Sequence, residues 1–142
     1  MALTISDLFL KLESEKENGL LPSDPVYVYD FNSRCDSNYK NGEIAGIYGH
    51  KIPSIKDIDH YFVDPLNIIF ITTFGPSRFT VIDLELVVCS LLDEGKGSSP
   101  IVAYREEADQ MVVVDGAEMS FLEITNDRYF ALMVDIEMSL VS

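Results

Sequence analysis

The side chains best suited to metal chemistry lie close together in the first half of the chain. His50 and His60 are the only two histidines, and Asp57, Asp59 and Asp64 lie near them. Imidazole and carboxylate groups together can bind zinc or other transition metals. The stretch contains neither an HExxH pattern nor a CxxC pair, so a surface or structural role is the stronger interpretation. We therefore predict no metal and no cofactor.

Two cysteines could act as nucleophiles. Cys35 follows Arg34, whose positive charge would favour a thiolate, but no histidine is placed by the sequence to act as its base. Cys89 lies in an apolar helical stretch, which predicts a buried and unreactive thiol. Two separate thiols in unlike settings are typical of a cytoplasmic protein. No catalytic residue is predicted, and we expect the protein not to be an enzyme.

Carboxylates are the main chemical feature of the chain. It has 24 acidic residues against 10 basic ones, a formal net charge of −14. Direct binding to nucleic acid or to an anionic membrane is disfavoured, because both require a cationic surface. A basic protein or nucleoprotein complex is the partner that such a charge suits. The predicted partner-binding acids crowd the second half: Asp93, Glu94, Glu106, Glu107, Asp109, Asp115 and Glu118.

Tyrosines suggest a second kind of contact. Tyr27 and Tyr29 alternate in the strand-like stretch Val26 to Phe31. Tyrosine combines apolar area with a polar tip and is frequent at protein interfaces. Both residues are therefore included in the predicted partner-binding site. The alternative is that they face solvent or fill the rim of a sheet.

An internal repeat organises the elements that carry these residues. The stretch from Leu3 to Leu10 recurs 76 positions later as Phe79 to Leu86, with Thr4 matched by Thr80. Each threonine is a predicted helix N-cap, followed three residues later by an aspartate that can reach back to it. A glycine ends each predicted helix, at Gly19 and Gly95. The repeat predicts an internal duplication.

Hydrophobic periodicity places the remaining elements. Helices are predicted at about 4–18 and 81–94, and a capping box predicts a short helix at 54–59. In the second helix Leu86, Val87 and Cys89 widen the apolar stripe, which predicts burial on more sides than in the first. Asp115-Gly116 is a predicted turn. Strands are predicted at 26–31, 43–48, 67–74, 101–104, 111–114, 119–124 and 129–136.

These elements predict an α+β fold of two tandem αβββ units, residues 1–75 and 76–142. Short connections favour antiparallel sheets covered by the helices, packed as one compact domain. No apolar run is long enough for a membrane helix, and no signal peptide is expected. Exposed sheet edges make a homodimer a further expectation.

The functional hypothesis follows from size, acidity and the lack of a catalytic signature. The opening helix and the Pro-Val-Tyr-Val-Tyr-Asp strand resemble those of small phage and bacterial proteins, over about the first 30 residues. This resemblance implies no residue role. We predict an acidic, non-enzymatic inhibitor or regulator of a nucleic-acid-handling complex, of the phage anti-defence or anti-CRISPR type, acting by stoichiometric contact or nucleic-acid mimicry. The alternative is a small-ligand binding module with a pocket between the two halves.

Overall fold

The computed structural model describes residues 2–30, 42–48, 51–52, 68–74, 79–105, 110–121 and 126–141. Within them the chain forms two helices, α1 (Ile5–Glu17) and α2 (Val81–Asp93), both close to the predicted ranges. The predicted helix at 54–59 lies outside the described residues. The strands are β1 (Val26–Asp30), β2 (Gly42–Tyr48), β3 (Lys51–Ile52), β4 (Ile68–Phe74), β5 (Ile101–Arg105), β6 (Gln110–Phe121) and β7 (Arg128–Val141). The α+β class is thus confirmed.

Both helices begin at the predicted caps. The backbone N–H of Asp7 donates to Oγ1 of Thr4 at 3.2 Å, and the N–H of Thr4 donates to Oδ2 of Asp7 at 3.2 Å. At α2 the N–H of Thr80 donates to Oδ2 of Asp83 at 3.0 Å, and the Thr80 hydroxyl donates to the same oxygen at 3.0 Å. Backbone donors that lack a helical partner are satisfied in this way.

Both helices end at the predicted glycines. Gly19 has φ 109° and Gly95 has φ 78°, values that an L side chain rarely adopts. After α2 the N–H of Lys96 donates to the carbonyl of Leu91 at 2.9 Å, which closes the last turn around the glycine. Local sequence therefore determines where each helix stops.

The strands form one mixed sheet in the order β1-β7-β6-β5-β4-β2-β3. β1 also pairs with β2, so β1, β7, β6, β5, β4 and β2 close into a ring. The short strand β3 pairs with the other end of β2, along the same edge as β1. β1 runs parallel to β7, and β4 runs parallel to β5. The prediction of antiparallel sheets is wrong. The physical reason is that α2 connects β4 to β5, and a helical crossover allows sequential strands to run in the same direction.

β6 corrects a second prediction. Asp115 and Gly116 lie inside this strand and not in a turn between two strands. The register against β7 shifts between Val114 and Gly116, which marks a β-bulge or irregularity. A two-residue type I′ turn needs positive φ, and Gly116 is not among the residues with positive φ. The Asp-Gly pair thus accompanies a local irregularity in a long strand.

One large apolar core joins the helices to the sheet. Ile5, Leu8 and Leu12 of α1 share this core with strand residues such as Val26 and Val28. From α2, the fully buried contributors are Val81, Leu84, Val88 and Leu91. Their spacing of three and four residues is that of one face of a helix. Because strand side chains alternate, Tyr27, which lies between Val26 and Val28, faces the other side of the sheet.

The segments that lead into the two halves contact each other reciprocally. The N–H of Ile101 donates to the carbonyl of Leu3, and the N–H of Val26 donates to the carbonyl of Phe79, both at 2.9 Å. Leu3 and Phe79 precede the two helix caps, while Val26 and Ile101 begin the strands β1 and β5. Each half therefore binds the other through the same pair of positions.

The two helices pack side by side in opposite directions. The N–H of Ser6, in the first turn of α1, donates to the carbonyl of Gly97, just after the end of α2, at 2.8 Å. The N–H of Ile82, in the first turn of α2, donates to the carbonyl of Pro22, after the end of α1, at 3.0 Å. The start of each helix thus adjoins the end of the other.

α1 also runs alongside β6. The N–H of Leu3 donates to the carbonyl of Val114 at 2.8 Å, and the N–H of Met119 donates to Oε2 of Glu15 at 2.5 Å. These two contacts tie both ends of the helix to one stretch of the strand. The result is a helix with α2 on one side and β6 on another.

Candidate interaction surface

Asp93 and Glu94 are exposed at the end of α2, as predicted. Carboxylates at a helix C-terminus are unfavourable, because that end carries partial negative charge. The antiparallel packing offers compensation, since the start of α1 adjoins this end and carries partial positive charge. Nζ of Lys96 also lies 3.4 Å from Oε1 of Glu94. Neighbouring groups therefore make the two acids tolerable at this position.

Asp115 and Glu118 are exposed on β6. Asp115 follows Val114, which bonds the segment before α1, and Glu118 precedes Met119, which bonds Glu15 near the end of that helix. Glu118 pairs with Ala131 of β7, which packs with Tyr27 and Tyr129 and not in the core that the helices share. Its side chain therefore lies on the sheet face opposite the helices. Of the predicted acids, Asp93 and Glu94 lie at the helix pair and Glu118 does not.

α1 adds exposed acids that the predicted site did not include. Glu13 and Glu17 are exposed and four residues apart, so they lie on the same face of the helix. Their helical spacing was the available signal, because it placed them on the solvent side. We name Glu13, Glu17, Asp93 and Glu94, which all belong to the two helices or their ends, together the acidic surface.

The tyrosines have a different outcome from the acids. Tyr27 is only 9% exposed, and its ring meets that of Tyr129 edge-on with centroids 5.4 Å apart and an interplanar angle of 82°. It packs in a small cluster on the sheet face opposite the helices. Tyr27 therefore offers little area to a partner, which corrects its inclusion in the predicted site. Only the backbone of Tyr29 is described, and it pairs with Met133 in β7.

Three predicted acids lie outside the described residues, namely Glu106, Glu107 and Asp109. The same is true of His50, His60 and the neighbouring aspartates. Among the residues that the structure does describe, no group of three His, Cys, Asp or Glu side chains could hold a metal ion. No helix in the described part of the chain is long and apolar enough to cross a membrane.

A single lysine links the carboxylates of the two helices. Nζ of Lys16 lies 3.3 Å from Oε2 of Glu85 on α2 and 3.5 Å from Oε1 of Glu13 on α1. The hydrogen bond to Glu85 and the attraction of its charge raise the pKa of Lys16 above its ordinary value. Oε1 of Glu85 is buried and has no hydrogen-bond partner among the described residues. The Glu13 carboxylate therefore lies at the boundary between α1 and α2.

The described bases do little to offset the acids. The side chains that the structure describes include 12 acids and four bases. Three of those bases, Lys16, Lys96 and Arg128, each lie within 4 Å of a carboxylate. The exposed Lys11 is the fourth. Because paired bases contribute little positive potential, the described surface is predominantly negative.

The outer face of α2 is apolar and exposed, contrary to prediction. Leu86 is 65% exposed, Ile82 is also exposed, and Cys89 is an exposed free thiol. The sequence predicted burial for Leu86 and Cys89. The reason is that α1 and the sheet cover only part of α2, and the uncovered part carries these side chains. The corresponding residue of α1, Leu10, is 64% exposed.

Comparison of the chain with family models, with curated proteins and with solved structures gave no match in any of the three searches. The functional proposal therefore depends on the chemistry of the described residues.

Proposed function

We propose that the protein is a non-enzymatic acidic binding protein that acts by stoichiometric contact with a basic protein or nucleoprotein complex. The observation that supports this most strongly is the acidic surface on the two helices. Glu17 and Asp93 are exposed there and have no ion-pair partner among the described residues. Exposed carboxylates of this kind attract a cationic surface at long range and orient it on approach.

Inhibition or regulation of a nucleic-acid-handling complex is the specific role that we propose. Proteins that hold nucleic acid do so with clusters of lysine and arginine. An acidic surface of several carboxylates can occupy such a cluster and exclude the natural polyanion. The phage anti-defence or anti-CRISPR type of inhibitor acts by this kind of contact. The chain itself is too acidic to favour direct binding to nucleic acid.

The ligand-pocket alternative has no specific observation in its favour among the described residues. Where they are described, the two halves meet through backbone hydrogen bonds and one shared apolar core. Side chains of both helices in this core are fully buried, as Leu8 and Leu84 illustrate. The acidic surface is therefore the site that we develop further.

We also propose that the two halves derive from an internal duplication. The reciprocal bonds of Leu3 with Ile101 and of Phe79 with Val26 support it, because equivalent positions exchange equivalent contacts. Aligned sequences of relatives test this proposal. Equivalent positions of the two halves should converge on the same residue types as relatives are added, and halves that fail to converge would contradict a duplication.

Affinity capture tests the proposed function. The tagged protein is incubated at low and high salt with a lysate of the cells that produce it, and bound proteins are identified by mass spectrometry. We expect one basic complex, released by salt or by added DNA or RNA. A column that retains nothing specific at low salt would contradict the proposal.

A further inference from the structure

We propose that the outer face of α2 is a docking surface for a basic amphipathic helix of the partner protein. We name Ile82, Leu86 and Cys89 the α2 stripe. These residues are spaced four and three positions apart, so they form one line along the helix, and all three are exposed. This inference depends on the proposed function, and it specifies which part of the surface the partner contacts.

A further exposed apolar residue lies in the segment that contacts the start of α2. Ile82 bonds the carbonyl of Pro22 through its N–H, and the preceding Leu21 is also exposed. Exposed apolar side chains are therefore found both on α2 and in the segment that bonds its first turn. Exposed apolar side chains that are grouped in this way mark interaction sites more often than isolated ones do.

α1 provides an internal comparison. The positions equivalent to Ile82, Leu86 and Cys89 are Ser6, Leu10 and Glu13, all exposed. Leu10 is thus an isolated apolar residue between polar neighbours, whereas Leu86 lies between two further apolar side chains. Solubility alone would favour polar residues on both helices, as α1 shows. The apolar character of the α2 stripe therefore needs a separate reason.

Charge around the stripe indicates which occupant it suits. Glu13 lies on the α1 side, because its carboxylate shares Lys16 with Glu85 of α2. Glu17 continues this row one turn along α1, and Asp93 continues the line of the stripe itself at the end of α2. An apolar line bordered by carboxylates complements a helix with apolar residues on one face and lysine or arginine beside them.

A second copy of this chain is a poor occupant by the same reasoning. Each copy carries a net charge of −14, and pairing two α2 stripes would bring their bordering carboxylates together. Like charges at close range oppose association, whereas a cationic helix is attracted at long range and then buries the apolar line. We therefore assign the stripe to a basic partner and not to self-association.

A synthetic helical peptide of leucine and lysine, with all leucines on one face, provides the probe. A scrambled peptide of the same composition is the control for charge. Binding is measured with the wild-type protein, with Leu86→Ser and with the matched variant Leu10→Ser, whose site has the same exposure and helix position. Alkylation of Cys89, resolved from Cys35 by peptide mapping, reports contact with the stripe.

We expect the patterned peptide to bind more tightly than the scrambled one and to slow alkylation of Cys89. Leu86→Ser should weaken binding about tenfold, because a buried leucine is replaced by a polar side chain. Leu10→Ser should change binding by less than about twofold. Circular dichroism of both variants establishes that they remain folded, and Leu86→Gln repeats the test with a larger polar side chain.

Three results would overturn the assignment. Leu10→Ser and Leu86→Ser could weaken binding equally, the peptide could bind without protecting Cys89, or the patterned peptide could bind no better than the scrambled one. Salt-sensitive binding of both peptides with Cys89 unprotected would reject the stripe while leaving the acidic surface in place. Failure of the proposed function would instead appear as the absence of salt-sensitive capture from the lysate.

Discussion

Nζ of Lys16 lies 3.3 Å from Oε2 of Glu85, and this ion pair joins the two helices at a point where their similarity fails. The positions equivalent to Lys16 and Glu85 in the other half are Leu92 and Phe9, and both pack against the core. At these equivalent positions, one pair of side chains is charged and the other pair is apolar. The two helices share a backbone arrangement but offer different chemistry to solvent.

The Lys16–Glu85 pair should give a measurable pH dependence. The folded protein raises the pKa of Lys16, so the pair stabilises the fold below the ordinary lysine value of 10.5 and loses its effect as pH rises through the folded pKa. Lys16→Met should therefore reduce stability at neutral pH and flatten its loss at alkaline pH. Urea unfolding at about pH 8 and about pH 11 measures the difference. Lys11→Met, on the same helix, is the control, and equal pH profiles for both variants would contradict this prediction.

The two helix-terminating glycines should differ in their tolerance of substitution. Among the described residues, no atom beyond the chain neighbours lies within 4 Å of a Cβ added at either glycine, so the backbone conformation is what opposes alanine. Gly95, with φ 78°, is close to the left-handed helical region, whereas Gly19, with φ 109°, is further from it. Gly95→Ala should cost about 1 kcal/mol and Gly19→Ala about 2 kcal/mol. Urea unfolding tests the order, and equal costs would show that φ does not decide it.

Asp24 should be more important for stability than its surface position suggests. Its Oδ2 accepts from Nε of Arg128 at 2.6 Å and from the N–H of Leu21 at 2.8 Å. The side chain of Asp24 is only 12% exposed and that of Arg128 is 29% exposed. Asp24→Ala should reduce the free energy of unfolding by about 2 kcal/mol and Asp24→Asn by about half of that, because asparagine keeps an acceptor. Equal losses in the two variants, measured with urea, would argue against the acceptor role.

Leucines on the same helices should separate into structural and surface residues. Leu8 and Leu84 are fully buried, and alanine at either position should cost about 3 kcal/mol. Leu10 and Leu86 are mostly exposed, and alanine there should change stability by less than about 0.5 kcal/mol. Thermal and urea unfolding measure all four variants. A large loss for Leu86→Ala would mean that its side chain supports the fold, which would remove it from a docking role.

The helices could be predicted closely because their signals are local. Thr4 and Thr80 mark the starts, and Gly19 and Gly95 mark the ends, through contacts within a few residues. The direction of β5 relative to β4 could not be predicted in the same way. It depends on where α2 returns the chain, and short-range patterns carry no information about that.

The candidate surface also contains residues whose exposure could be predicted from the sequence and residues whose exposure could not. The exposure of Asp93 and Glu118 followed from their charge, because unpaired carboxylates remain in water. The exposure of Leu86 could not be predicted, because α2 is apolar around most of its circumference and its period does not reveal which face is uncovered. The burial of Tyr27 could not be predicted either, because the sheet face opposite the helices also buries side chains.

The central claim is that defined carboxylates, and not acidity in general, bind a basic partner. Its most direct test is salt-dependent capture by two variants of equal net charge. One carries Glu17→Gln, Asp93→Asn and Glu94→Gln of the acidic surface; the other carries Asp57→Asn, Asp59→Asn and Asp64→Asn, which are not in the predicted partner-binding site. We expect the first variant to lose the basic complex that the wild-type protein retains at low salt, and the second to lose less. Equal retention by the wild-type protein and the first variant would contradict the claim.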